Sequence, residues 1–287
     1  MSLLFASSSS DLNVETIKKL GIECIKYPYK KDDKLHFFDE DFDFGGFYSK
    51  VKKNANFDCA YLSTEDFVKV FEPCFEQGDD IIYVHSSAKI IDSTSICEAK
   101  KILEDKYKDR KMLLIDSKNI SIGEGVVAYL CALLYRKGNS LKDIEEKSLD
   151  IINESAFFFA TNNTNKLEKN NLISSNYSTG GTALNIKPIW TLNIDGEIEL
   201  FDKVSGKKKC ISRLLEIIRQ MGENVADFPI EIVYTIDENS ANELKSKILD
   251  TYGNETSVNI ERMTPNNSML LGEDLLGLSF HIHRKIH

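Results

Sequence analysis

The chain has 287 residues, 42% of them apolar and 28% charged, with a formal net charge of −9, the profile of a globular protein long enough to fill a core in each of two domains. The acidic balance argues against nucleic acid or an anionic membrane surface as the main partner, since both select a basic footprint. Six cysteines stand far apart without a C-x-x-C pair and no run of about 18 apolar residues occurs, so a reduced, cytoplasmic protein without a transmembrane segment is expected, the start Met-Ser-Leu-Leu lacking the basic flank of a signal peptide.

Residues 3–6, 24–29, 81–85 and 112–115 read as short apolar strands flanked by polar turns or helix-like stretches, an alternation that predicts a parallel sheet covered by helices. The serine run at 7–10 reads as a β–α turn with a cap. Residues 125–137 carry Val126, Leu130, Leu133 and Leu134 at helical spacing with Gly138 as the stop, and Ser140 caps a second helix with Leu141, Ile144, Leu149 and Ile152. After Phe157-Phe158-Phe159 comes the Asn-rich stretch 161–176, where a domain boundary is expected: 1–158 and 159–287. The run Asn185-Ile186-Lys187-Pro188-Ile189-Trp190, the turn Asp195-Gly196 and an alternating stretch then read as a hairpin, followed by a helix over 209–221 ending at Gly222. A strand at 231–236, a helix opened by Ser240 with Glu243 in a capping box and closed by Gly253, and strands at 258–263 and 276–283 complete the pattern. The fold class is α/β: a Rossmann-like parallel-sheet N-terminal domain and an α+β C-terminal domain.

Catalytic signatures are absent from the sequence: no nucleophile beside a base, no Gly-rich phosphate cradle and no metal cluster. Gly180-Gly181 before Thr182 neither follows a strand nor opens a helix, so it reads as a turn. His281-x-His283 would aim two rings to one side of a strand but lacks a third ligand. The cluster Lys207-Lys208-Lys209 reads as a solvated helix start. Neither an enzyme nor a cofactor or metal is expected.

The hairpin region, with Asn185-Ile186-Lys187-Pro188-Ile189, Asp195-Gly196 and Lys203-Val204-Ser205-Gly206-Lys207-Lys208-Lys209, resembles the second domain of the DegV family of bacterial fatty-acid-binding proteins, which reads N-I-K-P-I, D-G and K-V-R-G-R-K-K. Asp116-Ser117 with Ser121, Gly123 and Gly125 is similar to the family's D-S-x-x-x-S-x-G-x-G turn, and Asp11-Leu12 to the end of its opening D-S-T-A-D-L. The resemblance implies a carrier holding one long-chain fatty acid in a tunnel between two domains and presenting the carboxylate to an acyl kinase subunit. In that family the carboxylate is held by the threonine of T-S-Q-P-S, the serine of an S-G-T loop and a late histidine.

Those positions depart here. The T-S-Q-P-S slot is Cys59-Ala60-Tyr61-Leu62-Ser63, the S-G-T slot is Ile91-Asp92-Ser93 (Ile90-Ile91-Asp92 with one gap), the histidine slot is Leu270, the G-G-R slot is Asn170-Asn171-Leu172, and Ser7 replaces the opening acid. Each charge-assisted hydrogen bond to a carboxylate contributes roughly 1.5–3 kcal/mol. Losing two or three costs about 3–9 kcal/mol, on the order of two to six decades in Kd. The expectation is therefore a lipid carrier with an altered head-group site formed around Cys59, Ala60, Ser63, Ser87, Ile91, Ser93 and Leu270; a neutral or differently presented lipid fits it better than a free fatty acid. The alternatives are a phosphotransferase, as related folds include, and a regulatory or vestigial paralogue that binds a protein partner. At Cys59 a gripping thiol competes with an inert packed one, at Ser87 and Ser93 substitute head-group hydroxyls compete with turn caps, and at His85 a cleft ligand competes with a structural histidine.

Overall fold

A computed structural model describes residues 2–38, 41–53, 56–162, 164–174 and 186–283, without the side chain of Lys52. The chain opens with β1 (Ser2–Ser7), a 3-10 turn at Ser8–Ser10, α1 (Val14–Leu20) and β2 (Ile22–Ile25). A side unit follows: β3 (Tyr29–Lys31), β4 (Lys34–His36), α2 (Phe44–Lys52) and β5 (Phe57–Cys59), a three-stranded sheet of order β4-β3-β5. The main layer continues with α3 (Thr64–Glu76), β6 (Asp80–His85), α4 (Thr94–Lys106), β7 (Met112–Asp116), α5 (Ile122–Arg136) and α6 (Leu141–Asn153). Its sheet, β2-β1-β6-β7, is parallel throughout.

Period-two alternation sorts this sheet's faces. Leu4, Ala6, Ile82 and Val84 pack with Val127, Cys131 and Ile144 of α5 and α6, whereas Phe5, Ile81 and Tyr83 pack with Phe67, Phe71 and Phe75 of α3 and Ala99 and Leu103 of α4. The serine run differs from expectation. It forms the 3-10 turn, and the N-cap of α1 is Asn13, whose Oδ1 accepts from the Thr16 N–H at 2.6 Å.

The second half comprises β8 (Ser155–Ala160), α7 (Asn165–Lys169), β9 (Ile186–Leu192), β10 (Ile198–Ser205), α8 (Lys207–Met221), β11 (Ile230–Tyr234), α9 (Glu238–Tyr252), β12 (Val258–Arg262), α10 (Pro265–Leu271) and β13 (Leu276–His281). Their sheet has the order β10-β9-β8-β13-β11-β12, antiparallel except for β11–β12. The expected boundary at 158 falls inside β8, which pairs with β13 along its length and with β9 over residues 158–160. Asp237 rather than Ser240 caps α9, its side chain accepting from the Ser240 N–H. Gly180, Gly181 and Asn185 lie outside the described residues.

The Phe triplet of β8 divides by the same alternation. Phe158 faces α8 and α9, joining Ile211, Leu214, Leu244 and Ile248. Phe157 and Phe159 lie on the opposite face, where they meet Trp190, Leu270 and, from the first half, Ile91, Ile120 and Ile122 at the start of α5. One apolar cluster is thereby built from both halves. Gly277 of β13 is needed there, because a Cβ at that position would come 2.8 Å from the Phe157 ring and 3.0 Å from Phe159 Cβ.

Candidate functional site

The carboxyl ends of β1, β6 and β7, where an open α/β sheet places its ligands, face α10 and the inner side of the second sheet. Helix α10 starts with Pro265, whose fixed φ suits a first turn and whose missing N–H costs no helical bond, and all of its residues are buried. Cys59 ends β5 against it. The Cys59 Sγ donates to the Asn266 carbonyl at 3.7 Å, and the Ala60 N–H donates to Asn266 Oδ1 at 3.3 Å. Burial pushes the Cys59 thiol up to about 12, which leaves it protonated and without nucleophilic character near neutral pH.

Ile91 (8% exposed) and Leu270 (1%) pack in the shared cluster, and Cys59 packs against it. Ser93 borders a cavity of about 20 Å³ with Ile91, Tyr27, Tyr61 and His85, space for about one water. Cys59, Ala60, Ile91 and Leu270 thus converge, with Ser93 at their edge. Ser63 and Ser87 do not join them. Ser63 caps α3, donating to Asp66 Oδ2 at 2.8 Å, and Ser87 Oγ donates to the Gly196 carbonyl at 2.8 Å, pinning the turn between β9 and β10 onto the first half. A hydroxyl has one proton to give, and both serines spend it within the protein. His85 is buried with Nδ1 2.8 Å from the Ser86 carbonyl, and burial lowers its pKa, so its ring is neutral near pH 7.

Between the halves runs a polar seam. Asp11, at φ 51° after the 3-10 turn, accepts from the Thr264 N–H at 2.8 Å and from Asn267 Nδ2 at 2.8 Å, and also from Ser121 Oγ. Asn267 Nδ2 reaches the Ser9 carbonyl at 2.7 Å, and Asn13 Nδ2 donates to Glu261 Oε1 at 2.8 Å. Burial raises Asp11 to about 6 against the lowering effect of those donors. Glu124, fully buried, takes hydrogen bonds from Ser7 Oγ at 2.8 Å and from Ser86 Oγ, yet burial lifts it to about 8. It is therefore mainly a neutral carboxylic acid at pH 7.

The sequence reading passed over Glu124, Asn266 and Asn267. A signal existed for the first: Gly123 and Gly125 flank it, and a Cβ on either would strike Phe157 or the Ser10 carbonyl, so the residue between two such close approaches is drawn inside as well. His281 stacks on Phe228 at 4.0 Å and holds the Glu223 carbonyl, while His283 holds the Glu223 carboxylate at 2.7 Å. Among the described residues no group of three or more His, Cys, Asp or Glu could hold a metal ion.

Two α/β layers closing on a common apolar cluster, sealed by a polar seam, define a two-domain α/β protein rather than a single open sheet. The DegV family model, described as an uncharacterised protein family, matches residues 3–283, and the chain belongs to that family. A DegV domain-containing protein of Clostridium perfringens is 24% identical over 253 residues, which are 87% of this chain and 87% of that protein. Among solved structures, a DegV family protein of Thermus thermophilus, described by its fatty acid binding, superposes with a TM-score of 0.84 at 21% identity, covering 98% of this chain and 99% of that one. The Streptococcus pneumoniae fatty acid kinase B3 protein, loaded with linoleic acid, gives 0.84 at 19% identity, covering 99% and 100%.

Proposed function

We propose that this protein is a lipid-binding carrier of the DegV type, with a head-group site altered from that of its relatives. The observation that carries the reading is the meeting of Cys59, Ile91 and Leu270, the three slots at which the family pattern places carboxylate ligands, on one apolar cluster between the domains. An aliphatic chain is what such a cluster receives, and the thiol, isoleucine and leucine present no charge-assisted donor to a carboxylate. Trp190, Phe157 and Leu270 are at most 1% exposed, so a chain enters by displacing side chains, and its entry is coupled to opening of the interface. Solved relatives loaded with fatty acids support the ligand class, and the relative described as a fatty acid kinase protein suggests an acyl kinase subunit as the partner. Among the described residues no helix is long and apolar enough to cross a membrane, in keeping with a carrier that takes lipid up from outside itself.

The test is mass spectrometry of an organic extract of the undelipidated protein beside a blank purification. A stoichiometric neutral lipid supports the altered site. A stoichiometric fatty acid keeps the carrier and removes the alteration, and an extract matching the blank removes the carrier.

A further inference from the structure

A second groove, of about 480 Å³, opens between α1 of the first half and β12 of the second, within the size range of small-ligand sites. Leu12, Ile17, Phe38 and Phe44 form its apolar part, Val14 stands at the rim, and Lys18 and Lys26 also line it. Leu12 also packs against the interdomain cluster. On the other wall stands Arg262. Its guanidinium lies 5.5 Å from the Phe44 ring, 5.4 Å from Tyr48 and 5.8 Å from Tyr234, and its Nε donates to the Thr235 carbonyl at 3.1 Å. Among the described residues no carboxylate pairs with it and no hydrogen bond is made by its Nη atoms.

The acids nearby are otherwise engaged. Glu261 is held by Asn13, and both oxygens of Asp11 take hydrogen bonds from within the seam. Burial raises Glu261 to about 7, which leaves it partly neutral near pH 7, while Asp11, raised to about 6, stays mainly ionised there with its oxygens taken up by the seam donors. A planar, weakly hydrated cation fixed by three rings at the edge of an apolar groove is preorganised for a bidentate anion whose body is apolar.

We propose that this groove binds an amphiphilic anion, a long-chain carboxylate or phosphate monoester, with its charged head on Arg262 and its chain along Leu12, Ile17, Phe38 and Phe44. The site is separate from the interdomain cluster and stands independently of the carrier reading. A cationic amphiphile has no place there, and a neutral alcohol gains the wall contacts but not the head-group bonds.

The test is calorimetric titration of delipidated protein with dodecanoate, dodecyl phosphate and dodecanol, each below its micellar concentration. Arg262→Met keeps an apolar stem over the rings and removes the charge, and Val14→Trp, at an exposed position, fills the groove without entering a core. Circular dichroism melts establish that both variants fold. Arg262→Met is expected to weaken at least one of the anions tenfold or more while leaving dodecanol within twofold, and Val14→Trp to weaken all three. The stronger anion identifies the head as carboxylate or phosphate. Unchanged anion affinity in both folded variants overturns the groove site, and a ligand still bound in them then belongs to the interdomain cluster, leaving the carrier reading intact.

Discussion

Single residues tell most about how this chain departs from its family. Where the pattern has an opening acid, this chain has Ser7, and the carboxyl that meets Ser7 comes from Glu124 on the opposite helix. Because Glu124 is held near 8 when folded and has an ordinary value of 4.5 when unfolded, the native state binds the extra proton between those values. Its contribution to stability is fully present below about pH 4.5 and is lost as pH rises through about 8, with a slope of at most ~1.4 kcal/mol per pH unit. Glu124→Gln keeps a neutral acceptor there and is expected to flatten the fall in urea midpoint between pH 5 and 8; an unaltered slope would place the linkage elsewhere, with Asp11, Glu231 and Glu261 next in line. At the head-group slots the converse change applies. Cys59→Thr with Leu270→His restores a hydroxyl and an imidazole on the two sides of the cluster, and fatty-acid affinity is expected to rise at least tenfold in a fluorescent fatty-acid titration. No gain would mean that these slots do not face the head group.

At the scale of elements, legibility followed the strength of the local pattern. The strands β1, β6 and β7 were visible as apolar runs, and α6 as a capped amphipathic stretch whose Ser140–Asp143 capping box the structure contains. The side unit was not visible. Residues 29–59 carry aromatic residues at mixed spacings, and Tyr29, Phe47 and Phe57 only find one another through the pairing of β3 with β5 and the return of α2. Helix α10 was missed for a related reason: seven residues give barely two turns, and its burial on all sides erases amphipathic periodicity. Of the site, the apolar slots could be reached by counting along the family pattern, whereas the commitments of Ser63 to a cap and Ser87 to Gly196 depend on partners that counting does not supply. Element packing also makes a sharp prediction at β13. Gly277→Ala puts a methyl within 3.0 Å of Phe157 and Phe159, and overpacking of this kind costs about 1–3 kcal/mol, to be read as a lower urea midpoint at unchanged m-value.

Across the whole molecule, the interface combines an apolar interior with a polar perimeter: Asp11 with Thr264 and Asn267, Asn13 with Glu261, and Ser87 with Gly196. These bonds sit on two loops of the first half, residues 11–13 and the turn after β6, so separating the halves at one of them leaves the other in place. Under the carrier reading, opening to admit a chain is then a hinge about the bonds that remain rather than full dissociation. Saturation with a ligand that binds only the folded protein raises the melting temperature with ligand concentration, and differential scanning fluorimetry with graded dodecanoate or dodecanol measures that rise.

The cluster of Phe157, Phe159, Trp190, Ile91, Ile120 and Leu270 has one more consequence. Its members come from both sides of β8, so neither half of the chain carries a complete set. Calorimetry is expected to give a single endotherm whose van't Hoff and measured enthalpies agree, and two resolved transitions would show that the halves are thermally autonomous. A protein that melts this way has no intermediate in which one half stays folded and waits for the other: heat, denaturant or a disruptive substitution at the seam takes both together.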